Sequence, residues 1–178
     1  TFRNTTVPEY HREALIVQVR FILDQHDLLK RQLTMLEKRI NKMIREIDPM
    51  SLSIPGVGPV TCAVVLGTYG DLNRFSGKRA ITAYAGLDPR VIQSGSSINR
   101  TGRISKTGNK YVRRYLLNAA FVGCLRNPVI KQRYDHLKSK GKPHLVALTA
   151  CARKLLLIMY SVEKNQKRFY VPDYVSNQ

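Results

Sequence analysis

Ten positions near the start of the chain, Leu15, Val19, Ile22, His26, Leu29, Leu33, Leu36, Ile40, Met43 and Ile47, follow one another at alternating spacings of four and three. A helix turns once every 3.6 residues, so a 3.5-residue period draws one continuous stripe along it. Pro8 stands where a helix can begin, because its missing N–H would have no partner there. The spacing predicts a helix over 9–47, about 58 Å long at 1.5 Å per residue. Such a rod outreaches a small domain, so its stripe must meet another helix, either from a second copy or from a segment elsewhere. His26 is the polar member of the seam and reads as a register-setting core residue rather than a ligand.

Charge divides the chain at the end of that stripe. Residues 1–50 hold nine Lys/Arg and seven Asp/Glu, whereas residues 51–178 hold 21 and five, a net charge of +16 out of +18. Pro49, followed by Ser51 and Ser53, cannot continue a helix interior. We therefore expect a coiled-coil helix over 1–50, a compact domain over 51–165 and a tail over 166–178. The hydrophobic content of 43% is enough for a folded core. No apolar run approaches the roughly 18–20 residues of a bilayer span, and no membrane partner is expected. Thr1-Phe2-Arg3-Asn4 is neither an initiator Met nor a signal pattern, so the chain reads as a piece of a longer cytosolic protein. Cys62, Cys124 and Cys151 are widely spaced without a C-x-x-C, which argues against a zinc site and a disulfide scaffold. The excess of cations calls for a polyanion, and nucleic acid is the first candidate.

The basic segment opens with Ile54-Pro55-Gly56-Val57-Gly58-Pro59-Val60-Thr61. A Gly-hydrophobic-Gly turn is the signature of a helix-hairpin-helix, in which glycines let backbone N–H groups approach a phosphate at the next helix N-terminus. Gly56 and Gly58 are thus candidate phosphate-binding positions, with an apolar helix from Pro59 to about Tyr69. Ser76 is expected to cap a short helix that Gly86 ends. Residues 88–105 are rich in Ser and Gly and hold Arg90, Arg100 and Arg103, the composition of a functional loop or short β-pair. Ser105 is expected to cap a helix starting near Lys106, with Val112, Leu116, Ala119, Ala120 and Val122 on its core face. Helices over about 128–138 and 144–164 should complete an all-α fold. Between 100 and 114 stand Arg100, Arg103, Lys106, Lys110, Arg113 and Arg114, with no acid among them. Cations without internal partners point to an outside anion.

These motifs resemble a family. Ile54-Pro55-Gly56-Val57-Gly58-Pro59-Val60-Thr61, Gly70-Asp71-Leu72, Arg74-Phe75 and Ala83-Tyr84-Ala85-Gly86-Leu87-Asp88-Pro89-Arg90 resemble insertion-sequence transposases. So do Gln93-Ser94-Gly95-Ser96, Gly102-Arg103-Ile104-Ser105-Lys106 and Gly108-Asn109. Over about 51–165 the chain is similar to the C-terminal domain of transposases that pair a RuvC-like DEDD nuclease domain with a serine-bearing domain, the bridge-RNA-guided recombinases.

The resemblance implies a coiled coil joining two catalytic domains, a serine nucleophile here, and Mg²⁺ in a nuclease domain that this chain lacks. No metal site is expected in the chain itself. Ser94 matches the family serine best, with Ser96 and Ser97 as substitutes. Arg90, Arg100 and Arg103 are expected to bind the scissile phosphate and stabilise its charge. Expected partners are DNA, structured guide RNA and a second copy, forming a homodimer or higher oligomer through the coiled coil. The expected setting is the prokaryotic cytoplasm, near the nucleoid. The chain alone should be inactive without its nuclease domain. A different class of function fits the same residues: a non-catalytic helix-hairpin-helix module that binds nucleic acid and assembles subunits.

Overall fold

The structure, a computed structural model, describes residues 9–94 and 98–171. It is helical apart from one short ribbon, and it divides into two units, Thr1–Lys42 and Met43–Gln178.

The described part of the first unit belongs to one helix, α1 (Glu9–Ile47), which covers the predicted span. Along it Leu15, Val19, Ile22, Leu29, Leu33 and Leu36 are each between 53% and 64% exposed. Ile16, Val17, Phe21 and Leu23 are also exposed, so around residues 15–23 the apolar surface is broader than a two-per-heptad stripe. His26 is exposed as well and bonds Asp27, with Nδ1 3.2 Å from Oδ1.

The second unit is built around α6 (His144–Asn165), the central helix of the core. Cys151, Ala152, Leu155, Leu156 and Met159 are all buried along it. At 22 residues, α6 is long and apolar enough to cross a bilayer, which corrects the reading that no such segment exists. Its apolar side is spent instead on α4 (Lys110–Arg126), α5 (Pro128–Ser139), α3 (Lys78–Tyr84) and two short 3₁₀ turns. Helix α2 (Pro59–Tyr69) packs on α4.

Asn127 ends α4 and begins α5. Its side-chain oxygen accepts from the Val129 and Ile130 N–H groups at 3.1 and 3.4 Å, with Pro128 at the first helical position. Its Nδ2 donates to the Pro55 carbonyl at 3.3 Å, tying that corner to the glycine turn. After α6 the chain turns back: Arg168 pairs with Asp48, and the Phe169 N–H donates to Ser53 Oγ at 2.8 Å.

Three local expectations change. Gly77, not Ser76, precedes α3, and no side chain caps it. Helix α4 begins at Lys110 rather than Lys106, because Asn109 takes the cap and accepts from Tyr111 N–H at 2.8 Å and Val112 N–H at 3.3 Å. Ser105 is bonded elsewhere. Val122 is 37% exposed, while Gly123 occupies the core-facing position beside it.

The element ahead of the glycine turn is a 3₁₀ turn, Met50–Ser53, so the structure does not show a complete helix-hairpin-helix. Pro49 and Pro55 bracket only five residues, and Pro55 holds Ile54 extended at φ −84°, ψ 118°.

Candidate functional site

Ser94, the first candidate nucleophile, is the last residue of β1 (Pro89–Ser94), which pairs antiparallel with β2 (Ile98–Ile104). The expected short β-pair is therefore present. Ser94 pairs with Ile98, and Ile92 pairs with Arg100. Alternate residues of a strand share a face, as do directly paired residues, so the register sets position 100 on the face of position 94. The pairing steps from Pro89↔Ile104 to Val91↔Thr101, which sets Gly102 and Arg103 together opposite Arg90. The backbone thus brings Arg90 and Arg103 to one bulge. The side chains of Ser94, Arg90, Arg100 and Arg103 lie outside the described residues, as do Ser96 and Ser97 entirely.

The base of the ribbon is described in full. Ser105 N–H donates to the Asp88 carbonyl at 2.9 Å, and Lys106 N–H donates to the Gly86 carbonyl at 3.1 Å. Ser105 Oγ donates to Asp88 Oδ1 at 2.6 Å, and Thr107 Oγ1 donates to Ser105 Oγ at 3.1 Å. Arg113 Nη1 donates to the Ala85 carbonyl at 3.1 Å and to the Gly108 carbonyl at 2.6 Å. Arg113 is half-buried, whereas Lys106, Lys110 and Arg114 are exposed around it. Lys110 Nζ lies 5.1 Å from the centre of the Tyr111 ring.

The glycine turn stands apart from these cations. Gly56 has φ +97°, and a Cβ there would lie 2.8 Å from both Cα and N of Gly123 and 3.0 Å from the Ala119 carbonyl oxygen. Its space is filled by the α4 backbone. Gly58 is open, with nothing within 4 Å of a Cβ, and precedes the first turn of α2. Gly56 meets α4 near 119–123, while Lys110 and Arg114 sit nearer its start, roughly 13 Å and 8 Å along the helix from Ala119. Lys106, Lys110 and Arg114 thus follow the ribbon into the first turns of α4, and the Gly56–Gly58 turn meets that helix further along, at Ala119 and Gly123.

Two groups of residues escaped the sequence reading. Arg74 Cζ lies 4.8 Å from the Phe75 ring centre and 5.7 Å from that of Tyr84. A second cationic surface runs along α5 and its exit, where Lys131, Arg133, Lys138, Lys140 and Lys142 are all exposed. The run of charges from 131 to 142 was legible, but its interruption by Asp135 and His136 hid it beside the acid-free stretch at 100–114.

Buried thiols complete the electrostatic picture. Burial, reinforced by the Glu163 carboxylate, pushes the Cys62 thiol up to about 12. Burial likewise pushes Cys151 up to about 12, with Cys124 and Asp135 adding to it and Arg133 opposing. Neither is a nucleophile at neutral pH. Among the described residues, no group of His, Cys, Asp and Glu is placed to hold a metal ion.

Residues 50–135 match the family model described as "Transposase IS116/IS110/IS902 family". That stretch runs from the 3₁₀ turn through the ribbon and α4 into α5. Over residues 50–135 the chain is thus similar to IS110/IS116 family transposases. It is 33% identical over 129 residues to the "Insertion element IS110 uncharacterized 43.6 kDa protein" of Streptomyces coelicolor, covering 71% of this chain and 32% of that protein. It is 35% identical over 118 residues to the pilin gene-inverting protein of Moraxella lacunata, covering 66% of this chain and 37% of that one. It is 30% identical over 146 residues to a probable family 20 transposase of Pseudomonas aeruginosa, covering 75% and 43%. The chain matches between 32% and 43% of the length of these relatives.

Proposed function

We propose that this chain is the part of a DNA transposase or recombinase that grips nucleic acid by its phosphates and presents Ser94 as the nucleophile of strand cleavage and exchange. One observation carries the reading: the transposase match spans the whole ribbon, whose first strand ends at Ser94 and whose register sets Arg100 on the same face. In the proposed step Ser94 Oγ attacks a backbone phosphorus. A P–O bond to the protein forms, the P–O bond to a deoxyribose oxygen breaks, and that oxygen leaves with a proton. One phosphodiester replaces another, so a hydroxyl from a new strand can reverse the step and reseal DNA. A serine hydroxyl is a weak nucleophile, and guanidinium groups from Arg90, Arg100 and Arg103 supply the positive charge that favours its alkoxide and the transition state.

Binding follows from Lys106, Lys110 and Arg114, which reach phosphates rather than base edges. DNA and a structured guide RNA present the same groups to them. The resemblance to the RuvC-like DEDD enzymes implies Mg²⁺ held by carboxylates of a separate nuclease domain. The described residues of this chain do not fit such an ion. The chain alone is accordingly expected to bind without cutting. Its exposed α1 seam joins it to a second copy as a homodimer or higher oligomer, acting on DNA in the prokaryotic cytoplasm.

Substituting Ser94→Ala in the full-length enzyme tests the assignment. Abolished strand exchange with intact DNA binding supports the nucleophile. Unchanged exchange leaves a binding and assembly module.

A further inference from the structure

Resting on that reading, we infer that Arg113 is a positioning residue that aims the Ser94 strand, and that it makes no phosphate contact. The ribbon is a single two-stranded sheet, and among the described elements no helix packs along it. Two strands alone are marginally stable and have no fixed direction of their own. What orients them is the knot at their base, where the incoming leg passes Ala85 and Gly86 and the outgoing leg passes Lys106 and Gly108.

Arg113 reaches both legs from α4. One nitrogen, Nη1, donates to Ala85 O on the way in and to Gly108 O on the way out, at 3.1 and 2.6 Å. The legs meet closely enough that side chains are excluded. A Cβ on Gly108 would lie 2.5 Å from both Ala85 C and Gly86 N and would overlap Tyr84 O. A Cβ on Gly86, at φ +64°, would lie 2.7 Å from Gly108 N and 2.8 Å from Arg113 Nη1. The glycines bring two backbones together, and the guanidinium holds the joint to α4.

Leverage makes this joint functional. From Pro89 to Ser94 the strand extends about 17 Å at 3.3 Å per residue. A displacement of 1 Å at Ser94 therefore needs a rotation of only about 3° at the base, and misplacement on that scale costs a reaction about a hundredfold. The charge of Arg113 resembles that of its neighbours Lys110 and Arg114, but its hydrogen bonds give it a different task.

The test uses Arg113→Met and Gly108→Ala, with Lys110→Ala as the phosphate-binding control. On the 178-residue chain, amide exchange at Ser105 and Lys106 should speed up about tenfold or more in the first two variants, since those amides close the ribbon base. The salt slope of duplex DNA binding should stay unchanged in both, while Lys110→Ala lowers it by about one. In the full-length enzyme, the serine–DNA adduct should form at least about tenfold more slowly in both knot variants, with duplex affinity within about twofold. A slope lowered by about one in Arg113→Met, with exchange at 105 and 106 unaltered, overturns the inference. So does unchanged adduct formation once those amides have been exposed. If Ser94→Ala itself retains the adduct, the nucleophile assignment fails, and the exchange and salt results still decide the structural role of Arg113.

Discussion

Gly56 rests against Gly123 so closely that a Cβ on Gly56 would lie 2.8 Å from the Gly123 Cα. This packing explains why the first glycine of the turn has no side chain. Gly56 also has φ +97°, where an L-residue is strained. Gly56→Ala should cost about 2–4 kcal/mol by overpacking and strain together. In a chain of this size that lowers Tm by roughly 5–12 °C. Gly58→Ala, at φ −93° with open space around it, should shift Tm by less than about 3 °C. Equal melting of the two variants in calorimetry would refute this division of roles.

Asn127 stands at two helix ends, and its side-chain amide makes both the α5 cap and a long-range bond. Asn127→Ala removes the cap of α5 and leaves the Pro55 carbonyl without its donor, at a combined cost of about 2–3 kcal/mol. Asn127→Asp keeps the cap acceptor and loses the donor, so it should be destabilising by less. Urea unfolding of the three proteins checks the order, and Asp melting below Ala would contradict it.

The buried thiols predict a dependence on alkaline pH. Below the ordinary thiol value of 9.0, Cys62 is protonated in both the folded and unfolded states, and its contribution does not change with pH. Above it the unfolded chain releases the proton first, so stability falls until the folded thiol also ionises near 12. Cys62→Ala should therefore lose less stability than the wild type between pH 8 and 10.5. Iodoacetamide at pH 8 should label half-buried Cys124 before Cys62 or Cys151. Rapid labelling of Cys62 in the folded chain would show its burial to be wrong.

Much of the fold was legible because its signals are local. The four-three spacing of the seam and the prolines at 59 and 128 mark α1, α2 and α5 to within a residue or two. The Ser- and Gly-rich stretch after Asp88 reads as the β-pair that forms. What failed was choice between neighbours. Ser105 and Asn109 are both good caps, and Ser105 is taken by Asp88, seventeen residues away, in a pairing that no local pattern contains. Arg113 and Arg114 are adjacent and identical in type, yet one turns inward to two carbonyls and the other outward. Only the approach of the 85–86 and 106–108 segments separates them, and that approach is tertiary. If Arg113 is the positioning residue inferred above, the cations at the start of α4 left to meet phosphate are Lys110 and Arg114, beside Lys106 on the loop.

The salt dependence of binding should register that distinction. Changing Arg103, Lys110 and Arg114 together to Ala should weaken duplex binding and lower the salt slope by about three, or one for each phosphate no longer neutralised. Sequence preference should change little, because these groups meet phosphates. An unaltered slope would move the binding surface elsewhere, with the Lys131–Lys142 face the next to test.

The exposed seam of α1 predicts assembly. Leu29, Leu33 and Leu36 are each more than half exposed in the single chain, and burying such a stripe against a second copy removes it from water. Sedimentation at micromolar concentration should show a dimer or larger species. Leu29→Glu with Leu36→Glu should give a monomer. A monomeric wild type with α1 intact would assign the seam to another part of the full-length protein.

A covalent link between Ser94 and DNA is what the proposed chemistry requires above all. Full-length enzyme trapped during strand exchange, digested and analysed by peptide mass spectrometry, should yield a DNA-linked peptide modified at Ser94. The Ser94→Ala protein should yield none while still binding DNA. An adduct on a different residue, or strand exchange that survives Ser94→Ala, would show that Ser94 is not the nucleophile.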